Sequence, residues 1–243
     1  MFLPYADEPN PKDFKPWVTM ALIAVNVAVY ILITMPSSGQ PLVWAGEGAD
    51  EYLQFSLLHG LPSAQSAYDL IVFEHGFRMA DFQFDDMTTS IFLHAGLMHL
   101  FGNMLFLWIY GDNIEHRLGR IRFFAIYIIG GFVSCLVYGM LADDPTIPLV
   151  GASGAISTVL GAYWIWFPDN RIKFFGFFFP FFVGRFQISA RWVLLFYVVV
   201  ENLMPQLLGG ASATAYGAHL GGFAFGVLVA FVFKPKDQSM IRA

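Results

Sequence analysis

Ser153 and His219 are the residues of this chain best equipped for chemistry. They stand in Gly151-Ala152-Ser153-Gly154 and in Ala218-His219-Leu220-Gly221-Gly222, inside stretches apolar enough to lie in a membrane. A hydroxyl is a weak nucleophile until a base takes its proton, and a neutral imidazole is suited to take it near pH 7. His99 and Asn103 stand four residues apart, which places them on one face of a helix. An imidazole and an amide beside a nucleophile can donate to a developing oxyanion, and losing one such donor typically costs ~10²–10³ in rate. These four side chains are the parts of a serine hydrolase.

The elements that must position them are membrane helices. The chain has 243 residues, 57% hydrophobic and 13% charged, about half the charge of a soluble domain. The net charge of −5 says little by itself, because its distribution matters more; no nucleic-acid partner is expected. Cys135 is the single cysteine, which excludes a disulfide framework within the chain. A span needs about 20 mostly apolar residues. Six are predicted, at about 17–35, 91–110, 123–141, 151–167, 192–208 and 215–233. The fold class is therefore an all-α polytopic membrane protein of six transmembrane helices, with a long outer loop between spans one and two. That loop is long and aromatic enough to predict short interfacial helices. Residues 1–16 read as a polar, irregular tail, 17–233 as one six-span unit and 234–243 as a second tail. The first apolar run has no small-residue cleavage site and is expected to stay as an anchor. Residues 171–190 are Phe-rich and broken by Gly176, Pro180 and Gly184, and read as an interfacial segment.

Basic residues set the orientation. Of the thirteen Lys and Arg, all but Arg78 fall in the two tails, between spans two and three, or between spans four and five. The positive-inside rule then puts both termini in the cytoplasm. Spans two, four and six enter from outside; Ser153, His219 and His99 lie within a few residues of that entry, and Asn103 follows one turn after His99. At ~1.5 Å per residue they share a level roughly 5–15 Å below the outer surface. Intramembrane ionisable residues are costly and mark function. No Asp or Glu reaches this level beside His219, so a Ser-His dyad is expected rather than a triad. Ser153 opens its helix, where unpaired N–H groups and a positive dipole favour an anion. Gly154 and Gly161 on span four, and Gly222 and Gly226 on span six, let two backbones approach closely. That approach would bring Ser153 within reach of His219.

These residues resemble the rhomboid family of intramembrane serine proteases. His99-Leu100-Phe101-Gly102-Asn103 is similar to the family's HxxxN element, Gly151-Ala152-Ser153-Gly154 to its GxSG, and Ala218-His219-Leu220-Gly221-Gly222 with Gly226 to its AHxxGxxxG. The resemblance covers about residues 17–233 and implies a six-helix rhomboid bundle. It implies cleavage of peptide bonds in or beside transmembrane segments of membrane proteins within the lipid bilayer. Ser153 would be the nucleophile, His219 the base, and His99, Asn103 and the Ser153 backbone N–H the oxyanion hole. Span five would be a lateral gate against span two, and the loop at 204–214, with Gly209 and Gly210, a cap. Glu115 would be structural, with Arg117, Arg120 or Arg122 as its partner. Two positions depart from the family pattern. Thr89-Ser90 replaces a Trp-Arg pair before span two, and Ser157 replaces a Tyr that stacks on the histidine, so another side chain must support that ring.

Other membrane proteases fit poorly. His94 and His99 do not form HExxH, and Asp112 has no second intramembrane Asp for an aspartyl dyad. No metal site and no cofactor are indicated. The rival from another class is a non-catalytic rhomboid-like protein that binds membrane clients. Such relatives typically lose the serine or histidine, and both are present here. The compact six-span form predicts a plasma (inner) membrane location, with the site opening to the outer face. The sequence sets no oligomeric state.

Overall fold

The structure, a computed structural model, describes residues 2–41, 48–59, 66–178, 182–208 and 215–233. After strand β1 (Phe2–Ala6), helix α1 (Trp17–Val29) continues through a π-helical turn (Tyr30–Thr34) into α2 (Met35–Ser38). Three short helices follow, α3 (Gly48–His59), α4 (Ala67–His75) and α5 (Asp86–Phe92). The central bundle is α6 (Leu97–Leu118), α7 (Arg120–Leu141) and α8 (Ser153–Trp166). Strands β2 (Arg171–Phe178) and β3 (Phe182–Ser189) come next. Helix α9 (Ala190–Phe196) then runs through a second π-helical segment (Tyr197–Leu203) into α10 (Met204–Leu207), and α11 (Tyr216–Val232) closes the bundle.

Length and apolarity suffice for membrane crossing in Trp17–Ser38 and Arg120–Leu141 among the described residues. Helices α5 and α6 meet at 94° and qualify only as a broken pair, and Tyr216–Val232 is apolar but shorter. The main helix within the second predicted span therefore starts at Leu97 rather than Ile91. Extended backbone at Leu93 and Gly96 interrupts the helix, and the Tyr68 hydroxyl donates to the His94 carbonyl within that break, 2.8 Å.

Helix α8 lies at the centre, nearly all of it buried, among α6, α7 and α11. Its small residues make this possible. A Cβ at Gly161 would lie 2.1 Å from the Phe223 carbonyl oxygen, at Gly222 2.2 Å from the Gly154 carbonyl oxygen, and at Gly226 2.0 Å from the Thr158 carbonyl oxygen. These three glycines form the α8–α11 contact. Gly154 adds its carbonyl to that contact, while its missing Cβ faces α7, 2.5 Å from Ser134 Cβ. Where lipid surrounds helices, such close packing and interhelical hydrogen bonds drive association. Thr158 Oγ1 donates to the Gly222 carbonyl at 3.0 Å, and Trp166 Nε1 to the Ala230 carbonyl at 3.2 Å.

The all-α expectation needs correction. Residues 171–178 and 182–189 form an antiparallel hairpin, and β1 adds to it in the order β1-β2-β3. Gly176 and Gly184, expected to break an interfacial segment, pair across the hairpin instead. Phe174 and Phe186 stack with centroids 5.4 Å apart, and Phe2 meets Phe186 edge-on. Cross-strand aromatic pairs of this kind stabilise a sheet that is only three strands wide.

The N-terminal tail, expected to be irregular, is stitched into the bundle. Asp7 is buried and accepts hydrogen bonds from Asn113 Nδ2 and the Tyr163 hydroxyl. Asn10 donates to Asp112 at 2.9 Å, and the Arg171 amide to Glu8 at 3.2 Å. Glu115 has a different partner from the predicted arginines. Its carboxylate accepts from Val18 N, Thr19 N and Thr19 Oγ1 at 2.8–3.0 Å. It supplies acceptors to the first turn of α1, whose N–H groups have none within the helix.

Candidate active site

Ser153 is the first residue of α8, and the strand-like approach to it is fixed by backbone bonds. Phe77 and Leu149 exchange hydrogen bonds at 2.8 and 3.0 Å, and Gly151 N donates to the Ser90 carbonyl at 2.8 Å. The position of the absent Trp-Arg pair is thus held by the main chain at Ser90, and by Thr89 Oγ1 donating to the His75 carbonyl at 2.7 Å. Gly151 has φ +125°, and a Cβ there would lie 2.7 Å from His99 Cε1. Only glycine suits both the backbone and the contact.

His219 lies in the first turn of α11. Its Nε2 is 2.8 Å from Ser153 Oγ, a hydrogen bond that can carry the hydroxyl proton to the ring. The first intrahelical bond of α8 joins Ile156 N to the Ala152 carbonyl, so the amides of Ser153, Gly154 and Ala155 precede the helix's own acceptors. His99 and Asn103, on the first two turns of α6, line the same cavity of about 1080 Å³ as Ser153 and His219. Asn103 is 7% exposed, and its Nδ2 has no acceptor among the described residues. A buried amide of that kind is a donor prepared for a partner. Met98, Phe106, Ile156 and Leu160 give the cavity apolar walls, suited to a hydrophobic segment with a few polar groups at its floor. The structure brings all four sequence-predicted polar residues together. No group of His, Cys, Asp and Glu among the described residues has the makings of a metal site.

The rhomboid domain family matches residues 81–236, more than half the chain. This chain belongs to the rhomboid family. It is 36% identical over 143 residues to Rhomboid protein 1, mitochondrial, of Saccharomyces cerevisiae, covering 57% of this chain and 39% of that protein. It is 32% identical over 143 residues to the human Presenilin-associated rhomboid-like protein, mitochondrial, covering 58% and 36%. To the Arabidopsis thaliana RHOMBOID-like protein 1 it is 28% identical over 234 residues, covering 93% and 56%. The match spans little more than a third of the length of the mitochondrial relatives. Membership makes it a membrane protein.

This rhomboid chain also carries two site residues that the sequence reading missed. Asn202 Oδ1 is 2.7 Å from His219 Nδ1, and the Tyr197 ring lies 6.2 Å from the His219 ring. The Tyr197 hydroxyl shares a 2.7 Å hydrogen bond with Ser157, so the aromatic neighbour comes from the π-helical segment instead of position 157. A signal existed for Asn202. The helix holding it exits outward in the predicted topology, which puts its last turns at the level of Ser153. The predicted cap is only partly visible, because Gly209 and Gly210 lie outside the described residues.

Proposed function

We propose that this protein is an intramembrane serine endopeptidase that cleaves peptide bonds in or beside the transmembrane segments of other membrane proteins. The observation that carries the reading is the 2.8 Å contact between Ser153 Oγ and His219 Nε2. In the proposed reaction, His219 Nε2 takes the Ser153 proton as Oγ bonds to the scissile carbonyl carbon. The carbonyl oxygen becomes an oxyanion and is met by the Asn103 amide, the His99 ring and the Ser153 amide. Collapse of this intermediate breaks the C–N bond. The leaving amine takes the proton from His219, and an acyl ester remains on Ser153. Water then attacks the ester with His219 as base, and Ser153 Oγ leaves with its proton restored.

The reading includes six crossings, with Trp17–Ser38, α6, α7, α8, the run from α9 to α10, and α11 as the spans. Helix α8 has 14 residues and measures ~21 Å, well short of a hydrocarbon core about 30 Å thick. Enclosed by longer neighbours, it would start below the membrane surface and leave Ser153 at the floor of the cavity. Arg117 lies over the Trp166 ring at the end of α8, and Arg171, Lys173 and Arg185 lie on the hairpin that follows, which supports a cytoplasmic placement of that end. In this reading both termini are cytoplasmic, the membrane is the plasma membrane, and the site opens outward. The gate is the run from α9 to α10, where Tyr197 meets Phe106 of α6 with ring centroids 6.4 Å apart.

The test is cleavage of a transmembrane model substrate by purified protein in liposomes, comparing wild type with Ser153→Ala and His219→Ala. Wild type should cut and both variants should not, and a fluorophosphonate should label wild type but not Ser153→Ala. A wild type that neither cuts nor labels, yet retains the substrate, would instead identify a non-catalytic client-binding rhomboid.

A further inference from the structure

Asn202 is 2% exposed, and both ends of its amide are engaged. Nδ2 donates to the Tyr197 carbonyl at 2.8 Å, and Oδ1 faces His219 Nδ1 at 2.7 Å. The first contact decides the second. A flipped amide would set its oxygen against the Tyr197 carbonyl, acceptor against acceptor, so Oδ1 is held toward the imidazole. Oδ1 can only accept, and His219 Nδ1 must therefore carry the proton. The lone pair is left on Nε2, the nitrogen 2.8 Å from Ser153 Oγ.

We propose that Asn202 is the positioning residue of His219, and that it makes readiness of the base depend on the seating of the helix running from α9 to α10. This rests on the protease reading above. Asn202 moves no proton. It holds Nδ1–H while Nε2 accepts and returns the serine proton, as the third member of a Ser-His-Asp site does, but without a charge. The residue sits in the π-helical segment Tyr197–Leu203, where the wider turn lets the Asn202 side chain reach the carbonyl five residues back. Such segments concentrate at functional sites.

The same segment makes a second tie. The Tyr197 hydroxyl shares a 2.7 Å hydrogen bond with Ser157 Oγ, which donates to the Ser153 carbonyl at 2.8 Å. One helix thus holds the base through Asn202 and the nucleophile's first turn through Tyr197. If it swings outward, both contacts break, and the His219 ring is free to turn or change tautomer. The site would be armed only when that helix returns against α8 and α11, which couples substrate entry to assembly of the base.

The test compares wild type, Asn202→Ala, Asn202→Asp and Tyr197→Phe. Nitrogen-15 NMR of histidine-labelled protein, with His219 assigned by His219→Ala, reads the tautomer without requiring activity. Wild type should show the Nδ1–H form, and Asn202→Ala should lose that preference. In cleavage assays Asn202→Ala should lower kcat roughly 10- to 10³-fold with KM little changed, less than the ~10⁴-fold that the wrong tautomer costs a Ser-His-Asp enzyme. Asn202→Asp should recover much of kcat and move the acidic limb of its pH profile, because a carboxylate stabilises the imidazolium and an amide does not. Tyr197→Phe should lower kcat less and leave the tautomer intact. An Nε2–H form in wild type, or an unchanged tautomer in a folded Asn202→Ala, would overturn the proposal. An active wild type matched by Asn202→Ala would overturn it too while sparing the protease reading. If wild type neither cuts nor labels, the protease reading fails and takes the coupling to catalysis with it.

Discussion

The Glu115 carboxylate on α6 caps the start of α1, accepting from Val18 N at 3.0 Å and from Thr19 N and Thr19 Oγ1 at 2.8 Å. Glu115 is fully buried, and a negative charge at a helix N-terminus is favourable. Replacing it with Ala leaves buried N–H donors without acceptors, at about 1–3 kcal/mol each. Glu115→Ala should therefore lower the unfolding midpoint sharply in a denaturing-detergent titration. Glu115→Gln, which keeps an oxygen but loses the charge, should fall between the two. Equal midpoints for all three would refute the cap.

Gly222 and Gly102 both lie in helices, but only one is packed against backbone. A methyl at Gly222 would sit 2.2 Å from the Gly154 carbonyl oxygen, whereas at Gly102 nothing lies within 4 Å. Gly222→Ala should push α11 off α8, separate His219 from Ser153 and abolish fluorophosphonate labelling. Gly102→Ala should raise the unfolding midpoint, since Ala is favoured over Gly in a helix by up to ~1 kcal/mol. A tolerated Gly222→Ala would mean that the two helices are not held by this contact.

Gly151→Ala separates conformation from chemistry at the nucleophile. Its φ of +125° strains any L side chain, and the added methyl would meet His99 Cε1 at 2.7 Å. Cleavage should fall more steeply than the unfolding midpoint, because the displaced groups are His99 and the turn into Ser153. A variant whose activity tracks its loss of stability would place the effect in the fold alone.

Polar residues in apolar runs are what made the site legible. Ser153, His219, His99 and Asn103 stood out because hydrocarbon penalises them, and the charge pattern set their depth. Asn202 obeys the same rule, but it sits near the exit end of its helix, beside the exposed Glu201, whereas the other four lie near the entry ends of theirs. Tyr197 gave no signal, since a tyrosine in a span passes for packing. The sheet was hidden for another reason. Phe174, Phe175, Phe177 and Phe186 put aromatic side chains on both faces of the hairpin, so composition shows no alternation. Pairing of residues 2–6 with 173–176 joins segments too distant for local pattern to report. Glu115 reads as structural, but two of its three donors are backbone amides, which no side-chain pattern can name.

Asp7 gives the cytoplasmic end of the proposed topology a pH dependence. Burial pushes its carboxyl from 3.8 up to about 7, the Tyr163 hydrogen bond opposes that shift, and the nearby Asp112 adds to it. The folded protein thus keeps a proton that the unfolded chain releases near pH 4, and between those values the native state binds more protons. Stability from this group is complete below the unfolded value and declines as pH rises through about 7, after which it is constant. Asp7→Asn keeps an acceptor for Tyr163 but cannot ionise. The difference in unfolding midpoint between the two proteins should therefore grow in favour of Asn from pH 4 to 7 and level off above that. Limited proteolysis should follow the same course, with cutting of the β1 segment rising more between pH 5 and pH 8 in wild type than in Asp7→Asn. Parallel pH curves for the two proteins would show that Asp7 does not titrate in this range.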